Sequence, residues 1–400
     1  MAPTRTVIVA GAGIGGLTAS LTLAAQGFRV IVLEKAERLE EAGAGIQLSP
    51  NASRILVELG LKDQLARRAV TPECVSVMSA RAGGEIARLP LGETAALRAG
   101  SPYWVIHRAD LQAALQNAVN EHPGIDLRLG CQFEDVSKHG EGLTVIQRRG
   151  NARQQELAAA LIGADGIWSS VRGHLVPDVQ PHFSGLIAWR GTLEATTLPG
   201  EDAAPRVRLW MGPNAHLVAY PISAGRQINV VAIVSGTWNQ PGWSAPGEAD
   251  EVKHAFATSD WPAAAQMLIG AVDSWRKWAL FTLPDIGRWN EGTVALLGDA
   301  AHAMLPFAAQ GAGMAIEDAA VLANALSDSS GENIAGIPAA LARYAQMRRA
   351  RVVRVQRLAR QQGRIYHLSG SAALARDLAI RALGPQRMLA RQDWIYDWRA

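Results

Sequence analysis

The sequence predicts an α/β protein with three parts: a parallel sheet covered by helices, a second and largely antiparallel sheet, and a helical C-terminal region. The chain opens at residues 6–34 with a strand, a glycine-rich turn, a helix and a second strand, and a similar strand and turn occur at 293–313. Long runs of alternating apolar and polar residues between 183 and 235 are typical of antiparallel strands. Residues 336–400 have the periodicity of helices.

The opening pattern is a strand–helix–strand unit. Residues 7–10 are apolar and mostly β-branched, which suits a strand buried on both faces. The helix predicted over 14–26 ends at Gly27, and a second apolar strand at 30–33 leads to Glu34. Three glycines between the first strand and the helix have the spacing G-x-G-x-x-G: Gly11, Gly13 and Gly16.

Each position of this pattern has a physical task. Gly11 permits the tight turn, Gly13 lets the backbone approach a pyrophosphate at the positive end of the helix, and Gly16 allows the helix to pack closely on the strand. Glu34 follows Gly11 by twenty-three residues and can accept a hydrogen bond from a ribose 2′-hydroxyl. The stretch predicts a dinucleotide site, with NAD and FAD both open and an ordinary βαβ unit as the alternative. The predicted contact residues are Gly11, Gly13, Ile14, Gly15, Gly16, Glu34 and Lys35.

Length and composition limit the class of protein. Four hundred residues favour two closely packed lobes, and 48% apolar residues are enough for a large core. A net charge of +3 is too small to indicate nucleic acid. Cys74 and Cys131 form no C-x-x-C, which argues against a disulfide scaffold or a zinc site. With no signal peptide ahead of the first strand and no apolar run of eighteen residues, we expect a cytoplasmic protein that does not span a membrane.

Other elements follow from local patterns. In chain order they are antiparallel strands at 73–79 and 85–89, a helix opening at 107–110, strands at 125–147, a strand, turn and helix start at 161–172, a loop at 237–247, a helix near 249–257, a strand at 293–299 and a long helix from 311.

A basic stripe lies at residues 343–364, where eight arginines stand largely at three-residue spacing. Such a helix face could touch nucleic acid or a membrane surface. We favour a solvated face whose guanidinium groups find carboxylates elsewhere in the protein, and the sequence leaves the role of the stripe open.

Three separated motifs, taken together, resemble one known family. They are the glycine pattern at 11–16, Asp165-Gly166 with Ser169 and Arg172, and Gly298-Asp299-Ala300-Ala301-His302. In this order and at these distances they resemble the class A flavoprotein monooxygenases, the single-component aromatic hydroxylases. The subgroup most similar is that of the salicylate, 3-hydroxybenzoate and 6-hydroxynicotinate hydroxylases. The resemblance implies a Rossmann-like FAD-binding lobe (1–71, 101–180 and 282–330), a substrate-binding lobe (72–100 and 181–281) and C-terminal helices (331–400).

The resemblance also implies which residues hold the cofactor. Gly11, Gly13, Gly16 and Glu34 match the adenosine half of the FAD site, and Arg108 matches an arginine that holds FAD at the start of its helix. Asp165 matches the motif associated with the pyrophosphate and with NAD(P)H, and Asp299 matches the acid near the ribityl chain. Gln47 matches backbone near the isoalloxazine. The turn at the flavin N1–C2=O edge is matched by Gly311, Ala312 and Gly313.

The spacing His-x-x-x-Tyr-Pro that begins at His216 resembles that of the same hydroxylase subgroup, and the resemblance implies that this pair lies near the substrate. His216 and Tyr220 point to one face of a strand about 13 Å apart, so they can bracket a pocket; a sheet histidine and a core tyrosine without a catalytic role are the alternative. Leu305 and Pro306 match the segment that covers the ring where oxygen reacts. Arg190 could meet a substrate carboxylate, guide flavin movement or form a structural ion pair. We interpret His302 as structural.

The predicted activity is hydroxylation of a small phenolic or hydroxylated heteroaromatic acid. The resemblance implies reduction of bound FAD by NADH or NADPH, reaction with O₂ to a flavin C4a-hydroperoxide, and transfer of one oxygen to the ring. The predicted base is His216, with Tyr220 as the residue that orients the substrate or relays the proton, and no metal is needed. Alternatives are an epoxidase or hydroxylase of a non-aromatic or larger substrate, and a non-catalytic dinucleotide sensor. We expect a monomer or homodimer.

Overall fold

The structure is a computed structural model that describes residues 5–39, 44–81, 83–139, 142–200, 204–257, 261–285, 287–327 and 336–400. Its strands, in chain order, are β1 (Thr6–Ala10), β2 (Arg29–Glu34), β3 (Gly45–Leu48), β4 (Cys74–Ser79), β5 (Glu85–Pro90), β6 (Trp104–His107), β7 (Ile125–Leu129), β8 (Cys131–His139), β9 (Gly142–Arg149), β10 (Ala152–Ala158), β11 (Ala160–Gly163), β12 (His182–Glu194), β13 (Arg206–Gly212), β14 (Ala215–Ile222), β15 (Gln227–Ser235), β16 (Ser244–Gly247), β17 (Trp275–Thr282), β18 (Asn290–Glu291) and β19 (Val294–Leu296).

Helices cover both sheets and form the C-terminal region. In chain order they are α1 (Ile14–Ala25), α2 (Pro50–Glu58), α3 (Lys62–Ala66), α4 (Gly92–Ala99), α5 (Arg108–Glu121), α6 (Ser170–Leu175), α7 (Ala249–Phe256), α8 (Ala263–Gly270), α9 (Asp299–His302), α10 (Gly311–Ser327), α11 (Ile337–Tyr366), α12 (Gly370–Ala390) and α13 (Asp393–Tyr396). The helix α12 is interrupted at Gly384, which has φ +70° and precedes Pro385.

The opening motif forms the centre of a six-stranded sheet. The strand order is β18-β19-β11-β1-β2-β7, and all neighbours are parallel except β18 and β19. The five residues of β1 are buried, as expected for a strand covered on both faces by helices. Because the strands are parallel, the carboxyl ends of β1, β11 and β19 meet at one edge, where ligands of such sheets bind.

The second large sheet is predominantly antiparallel. Its order is β16-β17-β12-β15-β14-β13-β4-β5, and among these pairs β13 and β4 run parallel. The alternating runs predicted between 183 and 235 form four of its strands, and the predicted pair at 73–79 and 85–89 forms its edge. The prediction of a loop throughout 237–247 was wrong at its end, because β16 pairs with β17. Pro246 is tolerated there because β16 is an edge strand.

A short two-stranded sheet brings distant segments to the centre of the molecule. Strands β3 and β6 pair antiparallel, with Gln47 opposite Val105 and Gly45 opposite His107. Three further strands, β8, β9 and β10, form a separate antiparallel sheet. The division of the chain into the three predicted lobes stays a prediction, although β4, β5 and β12 to β17 do come from residues 74–90 and 182–282.

The basic stripe lies on α11, and several of its arginines contact carboxylates. Arg349 pairs with Asp285 at 2.8 Å on the surface. Arg351 pairs with Glu317 at 2.6 Å, and Arg348 contacts Glu317 as well as Asp318. The interpretation of the basic stripe was therefore right that its guanidinium groups pair with carboxylates. It was wrong in treating the whole helix face as solvated, since Arg348 is only 1% exposed.

Two further findings bear on the predicted class of protein. In the part of the chain that the structure describes, no helix combines the length and apolarity needed to cross a membrane. The thiols of Cys74 and Cys131 are both free and buried.

Candidate active site

The glycine turn between β1 and α1 can be compared with the three tasks that its spacing predicts. Gly11 has φ +106°, and a Cβ there would lie 2.4 Å from the carbonyl oxygen of Ala164. A Cβ on Gly16 would lie 1.9 Å from the carbonyl oxygen of Gly11. Gly13 differs, because a Cβ there meets nothing within 4 Å and its φ of −71° suits any residue. The space in front of Gly13 is thus open at the N-terminus of α1, where an anion is favoured.

Glu34 is held beside this turn by two backbone groups. Its carboxylate accepts hydrogen bonds from the amide of Ala12 at 2.8 Å and from that of Ala36 at 2.9 Å. The side chain is half-buried, while the next residue, Lys35, is exposed. A carboxylate fixed at the end of β2 is placed to accept hydroxyl protons of a ribose.

A cavity of about 320 Å³ lies where the two large sheets face each other. One wall consists of turns at the carboxyl ends of β1, β11 and β19, and it includes Gly13, Ile14, Gly15, Ala164, Gly166, Leu297, Gly298 and Asp299. The opposite wall consists of side chains from the antiparallel sheet, namely Arg190, His216, Val218, Tyr220, Val231 and Ile233. The predicted cofactor and substrate residues therefore meet at one cavity.

Helix starts supply most of the polar groups on the cofactor side. Asp299 is the first residue of α9, is exposed to the cavity, and its carboxylate has no hydrogen-bond partner among the described residues. Gly311 and Ala312 begin α10 and line the cavity, whereas Gly313 packs behind them against Gln310. Helix N-termini favour negative charge, such as that on a phosphate or a reduced flavin.

Two more predicted residues reach the cavity through the short sheet. Arg108 is the first residue of α5, lies on the cavity wall and is exposed. Gln47 in β3 lines the cavity, and its side-chain oxygen accepts a hydrogen bond from the Tyr103 hydroxyl at 2.6 Å. The sequence pattern around residue 103 carried no signal for this contact, because it depends on the pairing of β3 with β6.

Asp165 does not line the cavity, unlike its neighbour Gly166. Its carboxylate accepts hydrogen bonds from the Ser169 hydroxyl at 2.5 Å and from the amides of Ser170 and Val171 at 2.7 and 3.2 Å. Burial raises the pKa of Asp165, although these hydrogen bonds oppose the change. The residue thus organises the start of α6 and shapes the turn that presents Gly166.

His302 also lies outside the cavity. Its Nε2 is 2.6 Å from the Asp318 carboxylate, and its ring stacks on Trp289 with centroids 5.0 Å apart. The side chain is 1% exposed. These contacts support the interpretation of His302 as a structural residue.

The substrate side contains three polar side chains. His216 and Tyr220 of β14 and Arg190 of β12 all line the cavity, with Pro306 and Met304 across from them. Leu305 does not line it and packs instead with Ala188, Ile233 and Phe307. Tyr220 is packed against Gly45, where a Cβ would lie 2.5 Å from the tyrosine ring.

Burial governs the charge of these groups. Burial, and to a lesser extent the neighbouring His367, lower the pKa of His216 well below its usual value. Burial raises the pKa of Tyr220 and lowers that of Arg190. At neutral pH the histidine and the tyrosine are therefore neutral. The arginine keeps its charge, because a guanidinium is in practice always protonated in proteins.

Arg190 has no counter-ion in the part of the chain that the structure describes. Its guanidinium lies over the ring of Trp278, with 5.4 Å between the guanidinium carbon and the ring centroid, and its Nε hydrogen is buried without an acceptor among the described residues. No carboxylate pairs with it in that part of the chain, so the structural ion pair considered as one interpretation is wrong there. A partly buried cation without a partner is unfavourable unless a ligand supplies the anion.

The comparisons with known proteins agree with this geometry. A family model described as an FAD binding domain matches residues 4–359. The chain belongs to this family. Residues that would hold FAD fit the group, since the open space at Gly13, the unpartnered carboxylate of Asp299 and the helix start at Gly311 face one cavity.

Relatives and solved structures match nearly the whole chain. A 3-amino-4-hydroxybenzoate 2-monooxygenase of Streptomyces platensis is 38% identical over 396 residues, which are 98% of this chain and 96% of the relative. A 3-hydroxybenzoate 6-hydroxylase of Klebsiella oxytoca is 34% identical over 399 residues, 100% of this chain and 98% of the relative. A salicylate hydroxylase substrate complex has a TM-score of 0.83 at 26% identity, covering 99% of this chain and 96% of that one.

These findings confirm four predictions: the resemblance to the class A aromatic hydroxylases, the fold class, FAD as the cofactor, and an FAD-dependent monooxygenase as the type of enzyme. The alternative of a non-catalytic sensor finds no support, because these relatives are named as enzymes. The individual site residues stay predictions, supported by where the structure places them.

Proposed function

We propose that this FAD-dependent monooxygenase hydroxylates a small phenolic or hydroxylated heteroaromatic acid and consumes NADH or NADPH. The observation that carries the proposal is Arg190, a half-buried side chain with a buried Nε and no counter-ion among the described residues, which lines the same cavity as His216 and Tyr220. The relatives named above act on hydroxylated benzoates, as their names state, which supports this substrate class.

Arg190 selects for the acid group of the substrate. A carboxylate can accept two parallel hydrogen bonds from one guanidinium, which fixes both its position and its orientation. The ligand would supply the negative charge that the described residues around Arg190 lack. The ring hydroxyl would then point along β14, toward the histidine or the tyrosine.

His216 accepts the proton of that hydroxyl. A phenol becomes far more nucleophilic once deprotonated, and a neutral imidazole in reach of the hydroxyl is a suitable base. Tyr220 stays protonated because burial raises its pKa, so it can donate a hydrogen bond that orients the substrate oxygen. Pro306 closes the other side of the cavity with an apolar ring that excludes water.

FAD supplies the electron transfer and the activation of O₂ when it is bound. The groups of this chain that would hold it are the helix N-termini at Gly13 and Gly311, the carboxylates of Glu34 and Asp299, and the guanidinium of Arg108. Their task is placement and exclusion of water, because the difficult chemistry belongs to the cofactor.

The cellular setting is part of the proposal. Separate buried thiols and a small net charge support a cytoplasmic enzyme without a nucleic-acid partner. We further propose that the enzyme acts as a monomer or homodimer. The C-terminal arginines support this proposal, since Arg348, Arg349 and Arg351 are occupied by carboxylates of the same chain.

Replacement of Arg190 by methionine tests the acid group. We expect the KM for 3-hydroxybenzoate, salicylate or 6-hydroxynicotinate, whichever the wild type hydroxylates, to rise by about 10- to 100-fold, since a hydrogen bond to a charged group contributes about 1.5–3 kcal/mol. The KM for an uncharged phenol should change little. The measurement is product formation by chromatography on protein of equal FAD content.

The control is Arg276→Met. Arg276 contacts the same Trp278 ring but is exposed and lies outside the cavity. Its replacement should therefore leave unchanged both the KM for the acid and the KM for the uncharged phenol. An unaltered KM for the acid in Arg190→Met would contradict the proposed recognition of a carboxylate.

A further inference from the structure

His367 is the residue that connects His216 to the outside of the cavity. It directly follows α11, and its Nε2 lies 2.8 Å from Nδ1 of His216. His216 is 2% exposed, whereas His367 is half-buried. The backbone fixes His367 in place, because its carbonyl accepts a hydrogen bond from the amide of Asn214 at 3.3 Å, in the turn before β14.

The end of α11 is held rigidly at this point. Arg376 of α12 donates hydrogen bonds to the carbonyls of Ile365 and Tyr366, and its own charge is paired with Asp377 at 2.8 Å. The rings of Phe307 and Tyr366 pack on His216 with centroids 5.1 and 5.4 Å away. The hydrogen bond between the two histidines is therefore a fixed part of the fold.

A base that is enclosed as His216 is needs a second group that can take up its proton. An imidazolium enclosed by the rings of Phe307 and Tyr366 is poorly solvated, so the charged form of His216 is disfavoured. Tyr366, whose ring packs on His216, is neutral because burial raises its pKa to about 12. No carboxylate bonds to either imidazole ring among the described residues.

We propose that His367 positions His216 and relays its proton to solvent. In the resting pair, Nδ1–H of His216 donates to Nε2 of His367, which leaves Nε2 of His216 free to take the hydroxyl proton of the substrate. The Nδ1 proton of His216 then passes to Nε2 of His367, and Nδ1 of His367 releases a proton to water. The reverse sequence returns a proton to the product and restores both tautomers.

The charge state of the pair fits this relay. Burial lowers the pKa of His216 well below its usual value and lowers that of His367 to about 4, so both rings are neutral when the substrate arrives. Neither ring holds a proton for long at neutral pH, which is what a relay requires. The inference rests on the proposed function, because it needs a substrate with an ionisable hydroxyl.

The test is the rate of proton release. The holoenzyme is mixed with 3-hydroxybenzoate, salicylate or 6-hydroxynicotinate in weak buffer containing a pH indicator, and release is followed by stopped flow. We expect His367→Gln to slow the release by at least about tenfold and by no more than the about 10²–10⁴-fold that a positioned proton acceptor contributes. For His367→Ala we expect added imidazole to restore most of the rate. FAD content and thermal stability are measured for each variant.

A matched control is His122→Gln, since His122 is also half-buried and accepts a local hydrogen bond, from the amide of Gly124. Release at the wild-type rate in His367→Gln, or failure of imidazole to restore His367→Ala, would overturn the relay while leaving the proposed function intact. If the wild type neither hydroxylates nor releases a proton with any of the three acids, the proposed function fails and the relay fails with it.

Discussion

The three positions of the first turn are glycine for different reasons. Gly11 has a positive φ and lies against Ala164, and Gly16 lies against Gly11 itself, so packing within the protein excludes a larger residue at both. Gly13 has neither constraint, because its φ is ordinary and the space beyond it is empty of protein. The ligand is therefore the reason that remains for a glycine at position 13.

This difference predicts opposite effects of two alanine substitutions. Gly13→Ala should fold with the thermal midpoint of the wild-type apoprotein but bind FAD at least about tenfold more weakly, because the methyl group occupies the approach to the pyrophosphate. Gly16→Ala should lower the apoprotein midpoint, since forcing a methyl group into a packed contact costs about 1–3 kcal/mol. Calorimetry of the apoproteins and titration with FAD measure the two effects. Wild-type FAD affinity in Gly13→Ala would contradict the assignment.

Single residues were predictable where a local pattern has one physical meaning. The glycine spacing and the acid after β2 are of this kind, and so is the alternation that places His216 and Tyr220 on one face. Tyr103 and His367 were not predictable, because each reaches the site through a partner 56 or 151 residues away. The close packing of Gly45 against the ring of Tyr220 was not predictable either, because it joins segments far apart in the sequence.

At the scale of elements, a buried ionic cluster joins α10 to α11. Arg348 of α11 contacts Glu317 and Asp318 of α10, and Asp318 in turn accepts hydrogen bonds from His302 and from the amide of Gly298. Burial opposes ionisation of Asp318, but attraction from His302 and Arg348 lowers its pKa to about 2. The cluster thereby fixes the turn that presents Asp299 to the cavity.

Removal of one member should therefore be costly. We expect Arg348→Met to reduce the free energy of unfolding by about 3–5 kcal/mol, because buried Asp318 loses its guanidinium partner and buried Glu317 keeps only Arg351. The adjacent Arg349→Met is the control, since its exposed pair with Asp285 is worth about 0–1 kcal/mol. Urea unfolding of both proteins gives the comparison. Equal decreases in the free energy of unfolding would show that burial does not make the ion pairs of Arg348 more important than that of Arg349.

The arginine spacing on α11 was visible in the sequence, but its partners were not. Glu317 and Asp318 lie inside an apolar helix, where their burial depends on how α10 packs against α11 and α2. Helix periodicity indicates which residues share a face. It does not indicate which faces meet, so the solvated interpretation failed at the one arginine that packing places in the core.

At the scale of the whole molecule, the cavity lies between two sheets. His216 on its wall and the adjacent His367 couple the stability of the protein to pH. The pKa of His216 and that of His367 are both lowered by burial from the ordinary value of 6.5, the latter to about 4. Below pH 6.5 the unfolded chain binds protons that the folded protein does not, so stability is lost as the pH falls from about 6.5 toward 4.

The prediction is a shallower pH dependence in a variant without these rings. We expect the thermal midpoint of the wild type to fall over this interval, and that of the double variant His216→Gln with His367→Gln to fall less steeply. Scanning calorimetry at half-unit pH steps provides the measurement, and His122→Gln serves as the reference. A double variant with the slope of the wild type would show that other groups set the acid limit.

The overall architecture was largely predictable because strands with one buried face and strands with two leave different patterns in a sequence. The order of strands within each sheet was not, since β4 pairs with β13 and β1 with β11 across more than a hundred residues. The edge strand β16 was missed because its proline and glycine content is that of a loop.

This strand order has a consequence for biosynthesis. The central strand β1 pairs with β11, which pairs with β19, so the parallel sheet is complete only when residue 296 has left the ribosome. At about 5–20 residues per second, roughly 15–60 s pass between the synthesis of β1 and that of β19, the last parallel strand of the sheet. During this time apolar strand surface is exposed, and chaperones are suited to protect it. FAD can therefore bind tightly only late in translation. Cofactor binding is accordingly a late event in the maturation of this enzyme.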